Sequence, residues 1–321
     1  MQTILLIATG LVLFLYALNT LSDALKELAG ERLKIFLDRF TNNLFKGIVS
    51  GIIVTVLLDS SSVVIIMTIA LVNSGALAFR QAMGVVMGAN IGTTFSSQIF
   101  ALDIGAYAAF PISIGFIMMF FLKKPFFVQL GKVLFGFGLI FFGLFTMEKA
   151  VEPLKNSQYF VAWLHSLEST WKGLSIGVIV TIVIQSSSAT VGMVIGLAAQ
   201  KMITLAGAIA VVLGAEIGTC ADTLVASIGR SKAAAKTGLF HLLFNIATIL
   251  LAMLLLPYFT QLVQYVSRGM SIQQTIANAH MLFNGLGVII MLPFVRFFEK
   301  FLESILQKRT KDPAAILVKQ E

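Results

Sequence analysis

Long apolar runs, each ended by a short polar or glycine-rich stretch, set the rhythm of this chain. Runs at 3–20, 105–122, 133–147 with its flanks, 239–257 and 275–295 approach or exceed the ~20 residues that carry a helix across hydrocarbon. None shows the ten-residue alternation of a transmembrane β-strand. Only helices and closed barrels satisfy their backbone in lipid, so the pattern predicts an all-α integral membrane protein.

Two polar clusters interrupt the apolar runs, and they match each other. "VTVLLDSSSVVI" at 54–65 and "VTIVIQSSSATVG" at 180–192 align without a gap at the spacing from Ser60 to Ser186. At the same spacing "GANIGTT" at 88–94 meets "GAEIGTC" at 214–220, and Lys46-Gly47 meets Lys172-Gly173. The chain therefore reads as two copies of one unit. Repeat 1 occupies 1–126, with a spanning helix, a linker, a hairpin at 46–73, a broken helix at 78–101 and a helix at 104–122. Repeat 2 occupies 127–256, with its hairpin at 172–199, broken helix at 204–228 and helix at 235–256. Residues 257–321 add one extra transmembrane helix and a short tail.

The serine stretches are too short for two crossings each. From Lys46 to Leu58 a helix at 1.5 Å per residue reaches ~20 Å, past the middle of a ~30 Å core but not across it. A re-entrant hairpin fits. Each copy then has three full crossings, so the second enters from the opposite face, as inverted repeats do. With seven crossings, 18 of the 23 Lys and Arg fall on one side of the membrane. That bias places the C-terminus in the cytoplasm and the N-terminus outside, in a multi-pass protein of the cell inner (plasma) membrane.

Composition supports this picture. The chain of 321 residues is 58% hydrophobic and 12% charged, half the ~25% charged of soluble domains. Its net charge of +8 sits in loops and a tail, facing anionic lipid rather than nucleic acid. The single cysteine, Cys220, excludes an internal disulfide, and the three histidines form no spaced metal cluster. Residues 1–22 lack the basic start of a signal peptide and read as a retained helix.

Chemistry concentrates where the apolar pattern fails. A turn inside the membrane frees backbone N–H groups, which must be buried in protein or line a wet cavity. Ser60, Ser61, Ser62, Ser186, Ser187 and Ser188 are suited to capping the returning half-helices, whose positive ends favour an anion. Two glycines around a polar residue can break a helix, and loosened carbonyls with the Thr93, Thr94 and Thr219 hydroxyls would suit a hard cation such as Na⁺. Asp59, Glu216 and Asp222 are ionisable groups inside apolar segments, by default functional. Asp59 and Glu216 occupy crossed positions, opposite Gln185 and Asn90 in the other copy. Two fixed negative charges near an anion require cations, or a shared proton. Asp222 stays open between packing and the site. His241/Asn245 and His280/Asn284, each at i, i+4, are expected to hydrogen-bond helix to helix, and the small-residue spacing of Gly47/Gly51 and Gly173/Gly177 to serve packing. A serine hydrolase would need a base beside a serine, and no strained nucleophile motif accompanies the histidines.

"QSSSAT" at 185–190, "DSSSVV" at 59–64 and "GANIGTT" at 88–94 resemble the type II sodium–phosphate cotransporter family, over about 1–295. The resemblance implies a non-enzymatic secondary active transporter: Na⁺-coupled symport of inorganic phosphate by elevator-like alternating access, with no cofactor besides the coupling ion, and a homodimer. Substrate contacts are expected at Ser60, Ser61, Ser62, Gln185, Ser186, Ser187, Ser188 and Thr190. Ion contacts are expected at Asp59, Asn90, Thr93, Thr94, Glu216 and Thr219. The chain departs from the family pattern at Asp59, usually Gln, and at Glu216, usually Asn. Rival readings are a cation channel or cation/proton exchanger without an anion substrate, and a phosphate exporter using the same site.

Overall fold

The structure is a computed structural model that describes residues 2–29, 32–102, 104–157 and 169–307. The described residues form helices joined by short turns, with no strand among them. In chain order the α-helices are α1 (Gln2–Ala29), α2 (Arg32–Phe40), α3 (Leu44–Leu58), α4 (Ser61–Asn73), α5 (Phe79–Phe100), α6 (Ala109–Phe121), α7 (Pro125–Val151), α8 (Thr170–Ile184), α9 (Ser187–Ala199), α10 (Leu205–Ser227), α11 (Lys232–Leu254), α12 (Leu256–Val266), α13 (Ile272–Met291) and α14 (Val295–Gln307). The pair α3–α4 and the pair α8–α9 begin and end at matching residues, displaced by the spacing between the two serine clusters.

Among the described residues, five helices are long and apolar enough to cross a bilayer, or six if α5 and the stretch Gly105–Phe121 count as one span bent by 76°. This differs from the seven crossings read from the sequence. The difference lies in α5 and α6: α6 has 13 residues, only ~20 Å of helix, and α5 counts as a span only together with it. Large apolar side chains stand exposed along these helices: Phe110 at 72%, Phe121 at 73%, Leu254 at 78%. An apolar exterior of this extent marks a surface made for lipid, and the fold is that of a multi-pass membrane protein.

One sequence expectation is corrected. The helices at 78–101 and 204–228 are not broken: α5 and α10 run continuously through both glycine motifs. The glycines serve approach instead. A Cβ on Gly88 would lie 2.0 Å from the Ile48 carbonyl oxygen, and one on Gly214 would lie 2.1 Å from that of Leu174. Here α3 lies against α5, and α8 against α10, at backbone contact. A mid-helix glycine costs roughly 1 kcal/mol against alanine. Close packing between helices, a main source of association in lipid, offsets that cost.

The element pairs cross between the two halves of the chain. The helix α4 packs on α10, and α9 packs on α5. Around this centre α11 and α13 fill in against α5 and α10. Apolar cores lie to either side, one built around Ile65, Met83, Phe240 and Phe244, the other around Phe14, Ile140, Val191 and Val212.

Candidate functional site

Each serine cluster sits at a two-residue break between helices. The apolar helix α3 ends at Asp59 with φ 52°, and α8 ends at Gln185 with φ 58°. Both residues are in the left-handed region, which costs an L-residue roughly 1–2 kcal/mol. The next residue turns extended and starts a new helix. Ser60 Oγ accepts from the Val63 N–H at 3.3 Å, and Ser186 Oγ accepts from the Ala189 N–H at 3.1 Å. These hydroxyls act as N-caps, as the sequence suggested, and each still has its own proton to donate. Ser61 and Ser187 open α4 and α9 and are buried. Ser62 and Ser188 are half-buried, and Gln185 is exposed.

The side chains around the breaks are not equivalent. Asp59 accepts a short hydrogen bond from Ser96 on α5. Ser62 Oγ lies 3.4 Å from Asp222 Oδ2 on α10, which ties that acid to the first serine cluster. Thr190, expected on the substrate, turns inward. Its hydroxyl meets Thr181 Oγ1 at 2.8 Å and the Ser186 carbonyl at 3.2 Å.

The residues expected at the cations fall into two groups. Thr93, Thr94 and Thr219 donate their hydroxyls to carbonyls of their own helices, Ala89, Ile91 and Ala215, at 3.1, 2.7 and 2.9 Å. With α5 and α10 unbroken, no loosened carbonyls lie beside them. Asn90 and Glu216 enter a buried polar chain instead. Asn90 Nδ2 donates to Asn245 Oδ1 at 2.6 Å. Asn245 Nδ2 donates to the Glu216 carbonyl at 2.8 Å. Glu216 Oε1 meets His280 Nε2 at 2.6 Å and the Asn284 amide at 3.4 Å. His280 Nδ1 meets Ser97 Oγ at 2.6 Å, and His241 Nδ1 meets Thr223 Oγ1 at 2.8 Å.

This network joins α5, α10, α11 and α13 through side chains that are almost fully buried. The two His/Asn pairs do connect helices, as their spacing predicted. Nothing in the spacing of residues signals that His280 meets Glu216, because the contact spans α10 and α13. Ser96 and Ser97, two and three residues beyond "GANIGTT", went unnoticed for a similar reason: small hydroxyls in a membrane helix usually bond their own backbone. Asn284 Oδ1 is buried with no hydrogen-bond partner. It lies beside Glu216 and is the one unsatisfied acceptor of this network, a place where a donor or a cation would be favoured.

A family profile described as Na⁺/Pi-cotransporter matches residues 13–149 and 143–291. The chain is 30% identical over 305 residues to the "Uncharacterized protein YqeW" of Bacillus subtilis, across 94% of this chain and 98% of that one. It is 25% identical over 309 residues to the "Putative inorganic phosphate export protein YjbB" of Escherichia coli, across 96% of this chain but 56% of that longer protein. A segment of 100 residues, 30% of this chain and 15% of the relative, is 41% identical to the rabbit (Oryctolagus cuniculus) "Sodium-dependent phosphate transport protein 2A". No solved structure matches the chain.

Proposed function

The chain belongs to the Na⁺/Pi-cotransporter family, and from that premise we propose that it is a secondary active transporter that carries inorganic phosphate by alternating access, coupled to Na⁺. One observation carries this reading: the paired breaks at Asp59-Ser60 and Gln185-Ser186, each opening a serine-capped helix that packs on the glycine-motif helix of the other half. In this reading 46–73 and 172–199 are re-entrant hairpins of two inverted repeats, 1–126 and 127–256. Their tips meet deep in the membrane, and 257–321 is an appended segment. The N-terminus is outside and the C-terminus cytoplasmic in the cell inner (plasma) membrane, and the protein is a homodimer.

Phosphate is held by the hydroxyl protons of Ser60, Ser61, Ser62, Ser186, Ser187 and Ser188, with Gln185 at the second tip and the two helix starts adding partial positive charge. Asp59, whose carboxylate faces α5, is the leading cation ligand. Glu216 has one oxygen taken by His280 and Asn284, so any ion there is shared with that pair. Asn90, Thr93, Thr94 and Thr219 supply oxygen lone pairs around it. Asp59, Glu216 and, through its contact with Ser62, Asp222 set carboxylates beside the anion and repel it until cations arrive, which is a physical reason for coupling.

The test is uptake of labelled phosphate into proteoliposomes under an imposed Na⁺ gradient. Saturable uptake that collapses when Na⁺ is replaced by K⁺ supports the reading. Uptake indifferent to Na⁺ overturns the coupling, and Na⁺ flux without phosphate would make the protein a channel or exchanger. A second reading, export, is favoured by the naming of YjbB, which aligns with 96% of this chain. Cells carrying the protein would then lose phosphate faster than cells lacking it when loaded internally.

A further inference from the structure

An apolar cleft of about 230 Å³ opens between the end of α11, the start of α12 and the later half of α13, and no serine of either cluster lines it. Leu251, Leu255, Phe259, Phe283, Leu286 and Ile290 line it. Its one side-chain hydroxyl from a spanning helix, that of Thr248, is already donated to the carbonyls of Phe244 and Asn245 at 2.9 and 3.1 Å. The occupant is therefore chosen by shape and apolarity, not by hydrogen bonds. The volume falls below the ~300–1,000 Å³ of a pocket for a drug-sized ligand, and suits a length of hydrocarbon chain.

The cleft shares Tyr258 and Leu262 with an adjoining polar recess that also holds Gln261, Gln264, Tyr265 and Arg268. The Arg268 guanidinium lies 4.7 Å from the Tyr265 ring centroid, a stacking that holds it in place. Arg268 is the one Lys or Arg between Lys236 and Arg296, and no Asp or Glu occurs from Thr223 to Phe298. A cation without a carboxylate in its own segment thus stands at the mouth of an apolar slot, beside two exposed tyrosines of the kind enriched at bilayer interfaces.

We propose that this face binds an anionic phospholipid, one acyl chain in the cleft and its headgroup phosphate on Arg268. A second copy of the chain is a poorer occupant. Two-fold packing on this face would bring two Arg268 groups to one seam with no acid in the segment to pair them. The proposal is independent of what the protein transports.

Delipidated protein in detergent, incubated with phosphatidylglycerol or phosphatidylcholine and weighed by native mass spectrometry, decides it. The wild type is expected to retain phosphatidylglycerol several-fold more than phosphatidylcholine. Arg268→Gln, an exposed change that leaves the core intact, is expected to erase the preference, and Ala252→Trp, which fills the cleft, to lower retention of both lipids. Equal retention of the two lipids by the wild type, or an undiminished preference in Arg268→Gln, overturns the proposal. So does a dimer that becomes monomeric in Ala252→Trp with lipid retention unchanged.

Discussion

Asp59 and Gln185 share a backbone shape while carrying different charges, and that difference is the chemistry of this chain at its smallest scale. Aspartate tolerates the left-handed region better than most residues, and its carboxylate also accepts a hydrogen bond from the Ser96 hydroxyl. Asparagine would keep both the shape and an acceptor oxygen, so Asp59→Asn removes only charge. If Asp59 ligates Na⁺, the Na⁺ concentration for half-maximal phosphate uptake rises on the order of tenfold, about 1.4 kcal/mol, while the thermal melt moves little. An unchanged Na⁺ dependence removes Asp59 from the cation site. The glycine positions make a second residue-scale test. Gly88→Ala places a methyl 2.0 Å from the Ile48 carbonyl, and the helices cannot both stay where they are. We expect a loss of about 3 kcal/mol or more, overpacking at its severe end, read as a lower melting temperature in detergent. A melt equal to wild type would show that α3 and α5 do not meet at this point.

At the scale of elements, the buried chain from Asn90 to Ser97 ties four helices together. The Glu216–His280 contact is its shortest link across α10 and α13. Removing either partner strands the other in an apolar surround. Glu216→Ala and His280→Ala are each expected to destabilise by about 1–3 kcal/mol. The double variant is expected to cost less than their sum by roughly 1–2 kcal/mol, the coupling typical of side-chain hydrogen bonds between membrane helices. Thermal unfolding of the four proteins gives the cycle, and strict additivity would show that the pair does not interact. This is also the scale at which sequence reasoning met its limit. The serine clusters were legible because helix breaking and capping are local, and the bounds of α3–α4 and α8–α9 followed from them. The glycine motifs were misread because glycine has two uses in a helix, weakening it or letting a neighbour close. Only the neighbour, Ile48 for Gly88 and Leu174 for Gly214, decides between them. The Glu216–His280 contact joins residues far apart in the chain, and no spacing rule reaches that distance.

For the whole molecule, the proposed orientation makes a prediction that the chain is well suited to test. Its one cysteine, Cys220, is buried, so introduced thiols report against a quiet background. Lys124→Cys is expected to react with a membrane-impermeant maleimide only after cells are opened, and Arg268→Cys in intact cells. The reverse pattern would invert the topology, and labelling of both from one side would remove the odd number of crossings between them. The two halves also differ in a way that bears on which one moves. In the second helix pair the Thr181 and Thr190 hydroxyls clasp each other. In the first, Thr55 is buried with no hydrogen-bond partner, because the position matching Thr190 holds Val64. One pair is pinned across its seam and the other is not. Deuterium should therefore enter the amides at the start of α4 sooner than those at the start of α9, and a threonine installed at Val64 should slow it, making the pseudo-symmetric machine more alike in its two halves and stiffer in the one that now yields first.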